Sequence, residues 1–460
     1  MTANDQLSRA AGVRTEECIS SNLSLFEPIS SEDFVEKYYY TEVFPAMALS
    51  ESSNSIYFAV QPSPDLTDMN QSYFRLRQRI TKNNGDAIDA FQPAAAAAGG
   101  NPARANNSVG YANCAANVVW SSVNFRLNDE NLSDNYNNHV YKIYIFNLLN
   151  YGKEARQTVL SLTGFYEDSN PNNCTAHTGG SGGFYDLAQR TKLSHEVTFL
   201  SPLYDPLSCQ SRYLTSMTPF SMEFVKASPN FALKTNAPSG DWKNDIKAMS
   251  LMIKRVKVRD SYKVELENEL KKQAAQYPIT HTWVRPFFID ANTHSFSVED
   301  AFQSRALPTQ VYIMLTTQAA YRGSQTTSPF FFGTYSLTCI KFTIDSDIYE
   351  LKCDFGSETA PDWTAAYLAL FKNNIKYNHQ MKTTYEDFAE RGFALFSFDL
   401  GNETNMSHDH VGLKRLGTAR LTLEFASTST NSSLVALMYC QSNQLITVDS
   451  NRRVEKDYFV

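Results

Sequence analysis

Two short segments in different halves of the chain carry the same alternating pattern. Residues 220–224 read FSMEF and residues 421–425 read LTLEF, so apolar side chains occupy every second position in each. A period of two is that of a β-strand with one buried face. A polar, turn-rich loop and a second apolar run follow each segment, at 250–253 and 433–437. The repeat spacing, 421 − 220 = 201 residues, predicts two β domains in tandem.

The length and composition agree with that prediction. A chain of 460 residues is too long for one ordinary β domain and is of the right size for two. Aromatic residues make up 13% of the chain, with 25 Tyr and 30 Phe, and both types favour strands. Asn and Ser are abundant between the apolar runs, as turns require. We therefore expect an all-β protein with long loops and a few short helices in the connections.

The net charge and the one basic segment indicate whether the chain could bind nucleic acid. A net charge of −7 argues against a protein that binds nucleic acid mainly by neutralising phosphates. Residues 254–259 (KRVKVR) alternate cations with Val, and we interpret them as one solvated face of a strand. No sequence-specific binding of nucleic acid is expected.

The cysteines and the apolar runs indicate the compartment. None of the seven cysteines forms a C-x-x-C pair, and their scatter favours reduced, partly buried thiols in an intracellular product. The first 18 residues have no apolar core and do not resemble a signal peptide. No apolar run approaches the roughly 20 residues of a membrane span. The cysteines are Cys18, Cys114, Cys174, Cys209, Cys339, Cys353 and Cys440.

The first half is predicted to hold a mobile arm, several strands and one helix. Residues 1–24 are polar and are interpreted as the arm. Residues 83–112 and 170–183, with their Pro and Gly, are expected to form exposed loops. A helix is predicted over 139–157, where Tyr141, Ile145 and Leu148 recur at three- and four-residue spacing. The strands are predicted at 37–49, 55–61, 71–80, 118–127, 193–200, 220–225 and 249–258.

The second half repeats this arrangement after a connecting helix. Residues 262–276 are predicted to be that helix, and the domain boundary is placed near 260. The first domain is then 25–260, and the second, with the connecting helix, is 261–460. A second helix is expected at 362–372 between the middle strands. The strands are predicted at 280–289, 310–316, 336–344, 393–399, 419–425 and 434–448.

Motifs that carry chemistry are absent from the sequence. It contains no phosphate-binding loop, no G-x-S-x-G and no H-E-x-x-H. His408 and His410 are the one metal-like pair, but they lie in a polar loop with no third ligand nearby. Acidic neighbours such as Glu386 and Asp387 diverge on a strand and make poor catalytic pairs. We therefore expect no catalytic residues, no cofactor, no metal site and no enzymatic activity.

One aromatic cluster has two interpretations. Residues 329–332 read PFFF. Aromatic residues are enriched at contacts between subunits, which is the functional interpretation. A buried strand start is the structural one, and we favour it slightly.

A collinear series of segments resembles the double jelly-roll major capsid protein of Polinton (Maverick) elements and adintoviruses. The series runs from about residue 25 to the end of the sequence, and 148–155 (LLNYGKEA) is its sharpest member. The other segments are 212–214 (RYL), 276–279 (QYPI), 295–296 (SF), 307–308 (LP), 311–313 (VYI), 329–332 (PFFF), 392–400 (GFALFSFDL) and 419–425 (ARLTLEF).

The resemblance implies a fold and a function. It implies two jelly-roll β-sandwiches side by side, related in architecture to virophage and large DNA virus capsid proteins. It also implies homotrimers of near-hexagonal outline that tile an icosahedral shell around a DNA genome, with a penton or minor capsid protein as a further partner. Such a protein is made inside the host cell and resides in the virion.

Two alternatives stay open from the sequence. A minor capsid or spike protein would combine one β domain with an unrelated half. A carbohydrate-binding or glycoside-cleaving β-sandwich would need facing carboxylates or exposed aromatic platforms. The four tryptophans, at 120, 242, 283 and 363, are not clustered in the sequence.

Overall fold

Antiparallel strands dominate the structure, a computed structural model. It describes residues 34–51, 53–88, 109–128, 130–133, 138–172, 182–235, 241–302, 307–357, 360–371, 383–400, 416–426 and 432–458. The predicted arm at 1–24 and the pair His408 and His410 lie outside the described residues.

The strands before residue 259 form two four-stranded sheets and one short pair. One sheet has the order β1-β10-β3-β7, the other has the order β2-β8-β5-β6, and β4 pairs with β9. The bounds are β1 Val35–Val43, β2 Ser55–Val60, β3 Leu66–Lys82, β4 Val109–Tyr111, β5 Trp120–Leu127, β6 Glu130–Asn131, β7 Val197–Pro202, β8 Phe220–Lys226, β9 Leu233–Thr235 and β10 Trp242–Val258.

The strands after residue 274 form a matching set. One sheet has the order β11-β20-β13-β18, with β21 also paired to β20, and the other has the order β12-β19-β14-β15. The bounds are β11 Ala275–Ile289, β12 Ser295–Val298, β13 Gln310–Thr317, β14 Leu337–Ile344, β15 Asp347–Lys352, β16 Asp354–Ser357, β17 Ala360–Asp362, β18 Phe396–Asp399, β19 Ala419–Phe425, β20 Leu434–Val448 and β21 Val454–Tyr458.

Both halves have the strand order of a jelly roll. When β4, β9, β16, β17 and β21 are set aside, eight strands remain in each half. Counted from one to eight along the chain, they form sheets of order 1-8-3-6 and 2-7-4-5 in both halves, and all the pairs are antiparallel. The chain is therefore a double jelly roll, as predicted.

The two repeated segments occupy the same place in the two rolls. Residues 220–224 lie in β8 and 421–425 lie in β19, each the seventh strand of its roll, and their apolar side chains are buried. The apolar runs that follow lie in β10 and β20, the eighth strands. In each roll the seventh and eighth strands belong to opposite sheets and do not pair with each other.

Helices lie mainly in the connections between the strands that come fifth and sixth in each roll. In the first roll that connection, between β6 and β7, holds α1, α2 and α3, and in the second, between β15 and β18, it holds α7 and α8. The bounds are α1 His139–Asn150, α2 Lys153–Gln157, α3 Gly182–Thr191, α4 Pro229–Ala232, α5 Asp260–Lys272, α6 Gln318–Arg322, α7 Thr364–Phe371 and α8 Tyr385–Ala389. Short 3₁₀ turns lie at Val159–Thr163 and Lys192–Ser194.

Two predicted helices need correction. The helix predicted over 139–157 is two helices, because Tyr151 and Gly152 are extended and end α1 before α2 begins. The connecting helix α5 begins earlier than predicted and ends at Lys272, because Gln273 is extended and leads into β11. Among the described residues no sheet contains strands from both sides of α5.

Parts of the segments predicted to be exposed loops or solvated faces form regular structure or are buried. Residues 109–112 of the predicted loop 83–112 lie in the core, since β4 pairs with β9 there. Gly182 and Gly183 of the predicted loop 170–183 begin α3. In 254–259 the guanidinium of Arg255 is buried and donates a 2.5 Å hydrogen bond to Thr67 Oγ1. The same guanidinium also donates to Gln61 O at 3.4 Å, and these acceptors hold it away from solvent, so the face is not uniformly solvated.

The buried core runs through both rolls without interruption. It contains the inner faces of the sheets, for example Phe224 and Leu251 in the first roll and Leu421 and Met438 in the second. The rolls are therefore packed into one body.

Candidate functional site: the joint between the two rolls

An aromatic cluster joins the rolls at one end of β11. Tyr144 of α1 stacks on Phe330 of the second roll with ring centroids 4.3 Å apart, and Tyr141 stacks on Tyr321 at 5.8 Å. Phe332 is fully buried beside both tyrosines of α1. We call Tyr141, Tyr144, Tyr321, Phe330 and Phe332 the aromatic junction. It buries large rings from both rolls against each other.

Hydrogen bonds fix the position of the aromatic junction. Asn138, just before α1, donates through Nδ2 to Val284 O at 3.2 Å and accepts from Tyr321 Oη at 3.0 Å. Burial raises the pKa of Tyr141 and of Tyr321, so both hydroxyls stay protonated at neutral pH. Asn138 is thus held by both β11 and α6, and it sets where α1 meets the second roll.

The PFFF cluster at 329–332 is a contact between rolls. Phe330 and Phe332 are buried, as the structural interpretation expected. They do not begin a strand, since Phe332 makes only an isolated bridge to Phe393. The sequence pattern did not identify what this cluster packs against. Its partners are Tyr141 and Tyr144, which lie three residues apart on α1.

A second, polar contact joins the rolls near the start of β11. Arg452 donates through Nε to Ser216 O at 2.8 Å and forms an ion pair with Glu267 of α5. Lys456 of β21 donates to Asn131 O and pairs with Glu130 at 2.6 Å. We call Arg452, Glu267, Ser216, Lys456 and Glu130 the polar junction. The rolls are therefore fastened at two separate places along β11.

Two carboxyl groups near β7 are buried. Asp168 lies in the connection between β6 and β7, and Asp205 follows β7. Asp168 accepts hydrogen bonds from the backbone N–H groups of Gly183 and Phe184, at 2.7 and 3.1 Å, which caps α3. Asp205 accepts from Leu207 N at 2.9 Å and Ser208 N at 3.0 Å. Burial outweighs these bonds and raises the pKa of each carboxyl to about 6. Both groups serve backbone turns, which is a structural role.

Where the structure describes them, the other residues that drew attention in the sequence have structural surroundings. No group of three His, Cys, Asp or Glu side chains that could hold a metal lies within the described parts of the chain. Glu386 and Asp387 lie in the first turn of α8, where Asp387 completes a capping box with Thr384, and both pair with Arg391. Cys114, Cys339, Cys353 and Cys440 are buried thiols.

All four tryptophans are in the core. Trp120 and Trp363 are almost completely buried, and Trp242 and Trp283 are less than a tenth exposed. An indole that binds a sugar must present its face to solvent. The tryptophans therefore offer no platform for a carbohydrate.

None of the helices in the described regions is long and apolar enough to cross a membrane.

No protein-family model matches the chain. An uncharacterized protein of Caenorhabditis elegans is 21% identical over 416 residues, which cover 85% of this chain and 90% of that protein.

Several solved structures have a similar fold over nearly the whole chain. A chain of the Sputnik virophage structure matches with a TM-score of 0.61 at 11% identity, over 97% of this chain and 94% of that one. The mavirus major capsid protein matches at 0.56 and 10% identity, over 97% and 96%. The Faustovirus major capsid protein matches at 0.52 and 9% identity, over 96% of each chain. These matches extend over both rolls, and they show that this chain has the same double jelly-roll fold.

Proposed function

We propose that this chain is a viral major capsid protein that assembles into the shell of a virion. The observation that carries the proposal is that one chain contains two rolls with the same strand order and is matched along almost its whole length by capsid proteins. Two similar rolls in one chain would form two similar sides of a capsid building unit. The finer assignment to Polinton elements or adintoviruses rests on the collinear segments, with 148–155 the sharpest.

The proposed assembly unit is a homotrimer. Three chains bring six similar rolls around a threefold axis, which gives a near-hexagonal outline. We propose 25–260 and 261–460 as the two roll domains, with α5 as the connection. Trimers would contact neighbouring trimers, and a penton or minor capsid protein would fill the vertices. The role is structural, with no catalysis.

The alternatives are less well supported. A spike or minor capsid protein with one β domain and an unrelated half does not fit two rolls of the same strand order. A carbohydrate-binding sandwich lacks exposed indoles, because all four tryptophans are buried.

The test is assembly of the purified protein. The full chain of 51.9 kDa is expected to sediment as a trimer of three times that mass and to show hexagonal outlines in electron micrographs. Co-expression with a penton protein is expected to give closed particles. A protein that stays strictly monomeric under all assembly conditions would contradict the proposal.

A further inference from the structure

In the part of the chain that the structure describes, the first strand of the first roll has an uncovered outer face, whereas its counterpart in the second roll is covered. Within the described residues β1 and β11 are both edge strands, and each is paired with the last strand of its roll. Eight of the fifteen residues of β11 are buried, and α1 of the first roll packs against it. None of the nine residues of β1 is buried. Among the described residues, then, one of these two equivalent strands is covered by a helix and the other is not.

The bare strand carries an aromatic surface. Tyr38 and Tyr40 are 49% and 46% exposed, and Phe34 and Phe44 beside the strand are 52% and 65% exposed. Tyr38 and Tyr40 are two residues apart and so share one face of the strand. Phe34 and Phe44 flank its two ends, and Phe34 lies before an irregularity in the pairing with β10 between Val35 and Lys37. Tyr and Phe are enriched in the buried centres of protein interfaces, and proteins seldom leave such an edge open. We call these four residues the β1 patch.

Charges next to the β1 patch would not obstruct a contact. Glu42 pairs with Arg75 at 2.5 Å, and Glu36 pairs with Lys257 at 2.7 Å. The ammonium group of Lys254 lies 4.6 Å from the ring centroid of Tyr38 and 3.0 Å from the carboxylate of Asp68. A partner that covered the patch would therefore not have to bury an unpaired carboxylate at these positions.

The second roll has a helix with one bare face where the first roll has a covered helix. The helices α1 and α7 both lie between the fifth and sixth strands of their rolls. Seven residues of α1 are buried, since it lies between β5 and β11. The sequence of α7, TAAYLALF, has no charge, yet only Ala366 and Leu370 are buried, and Leu368 is 56% exposed. A helix that is apolar on nearly all sides is normally covered on all sides.

We propose that these two bare surfaces meet between copies of this chain, so that α7 of one copy covers the β1 patch of the next. This contact would repeat between chains what α1 and β11 make within one chain. It is heterologous, because each copy supplies one surface of each kind, and such contacts close into a ring when the rotation divides the circle. The inference rests on the proposed function and names the surfaces through which its trimer forms.

Thiol labelling of the assembled full-length protein tests the contact. Tyr38→Cys and Leu368→Cys place thiols in the two surfaces, and Val264→Cys is the matched control, since Val264 is 62% exposed on α5. In the trimer we expect both thiols to react with a maleimide at least about tenfold more slowly than the control, because the reagent enters only when the contact opens. Peptide mass spectrometry separates these thiols from the native cysteines.

Three outcomes would count against the inference or against its premise. Trimers in which both thiols react as fast as the control would overturn the contact and leave the proposed function standing. Slow labelling that persists in diluted monomers would mean that the chain covers its own patch, which also overturns it. A wild-type protein that never trimerises would instead overturn the proposed function.

Charged variants give an independent measurement. Tyr38→Glu and Leu368→Glu are each expected to raise the protein concentration at which half the chains are trimeric by about tenfold or more, as for loss of a central interface residue. Val264→Glu is expected to leave that concentration unchanged. Equal midpoints for all three variants would contradict the proposal.

Discussion

Asp205 shows how a single buried group can make stability depend on pH. Its carboxyl holds a turn by accepting two backbone N–H bonds, but its other oxygen has no hydrogen-bond partner within the described parts of the chain. Burial raises its pKa from 3.8 to about 6. The folded state therefore binds the proton more tightly than the unfolded state does. The contribution of this group to stability is complete below about pH 4 and is lost as the pH rises through 6.

Removing the charge is expected to flatten that pH dependence. Asp205→Asn keeps an oxygen that can accept from Leu207 and Ser208 but cannot ionise. Between pH 4 and 7, the free energy of unfolding of the variant should gain about 1–3 kcal/mol relative to that of the wild type. Urea unfolding at a series of pH values measures it. Asp290→Asn, at an exposed position, is the control and should run parallel to the wild type. If the free energies of unfolding of both variants run parallel to that of the wild type over this pH range, the raised pKa of Asp205 is contradicted.

At the scale of elements, the sequence anticipated strands better than the contacts between them. The bounds of β19 and β20 agree with prediction, because their alternating or continuous apolar runs are long and end at turn residues. The paired strands β3 and β10 extend further than predicted through polar residues, whose backbone pairing has no sequence signature. The joint between the rolls was not predictable, because Tyr141 and Phe330 are far apart in the chain and only the fold brings them together.

Gly392 shows how tightly one connection is built. It lies between α8 and β18 with φ +86°, its carbonyl accepts from Phe332 N at 2.7 Å, and a Cβ there would lie 2.3 Å from the Phe331 ring. Gly392→Ala is expected to lower the free energy of unfolding by more than the roughly 1–2 kcal/mol that a left-handed backbone costs. Gly85→Ala, at φ +91° with no atom within 4 Å of a Cβ, isolates the backbone cost. Equal losses in urea unfolding would show that the Phe331 contact adds nothing.

For the whole molecule, the two junctions determine whether the rolls move together. The aromatic junction buries rings, whereas the polar junction depends on Arg452, which reaches Ser216 and Glu267 at once. The Arg452 side chain is only 11% exposed, and that of its neighbour Arg453 is 77% exposed. These adjacent arginines separate the effect of the junction from that of losing a surface charge.

Cutting the polar junction is expected to loosen the rolls. Arg452→Ala should reduce the free energy of unfolding by about 1–3 kcal/mol, because it removes charge-assisted hydrogen bonds that a nearly buried guanidinium makes to Ser216 and Glu267. Arg453→Ala should stay within about 0.5 kcal/mol of the wild type. Hydrogen exchange of Ser216 and of α5 should rise only in the first variant. Similar exchange in both variants would show that the polar junction does not hold the rolls together.

The pairing of the first strand with the last has a consequence for how each roll is made. Val35 pairs with Val258, a separation of 258 − 35 = 223 residues, and Ala275 pairs with Val448, a separation of 448 − 275 = 173. In each roll, the sheet that contains the first and eighth strands cannot be completed until the eighth strand has left the ribosome. Pairings this distant in sequence make folding slow and leave strand edges open meanwhile. Synthesis of this chain therefore passes through two long intervals in which a half-built roll needs protection from other nascent copies.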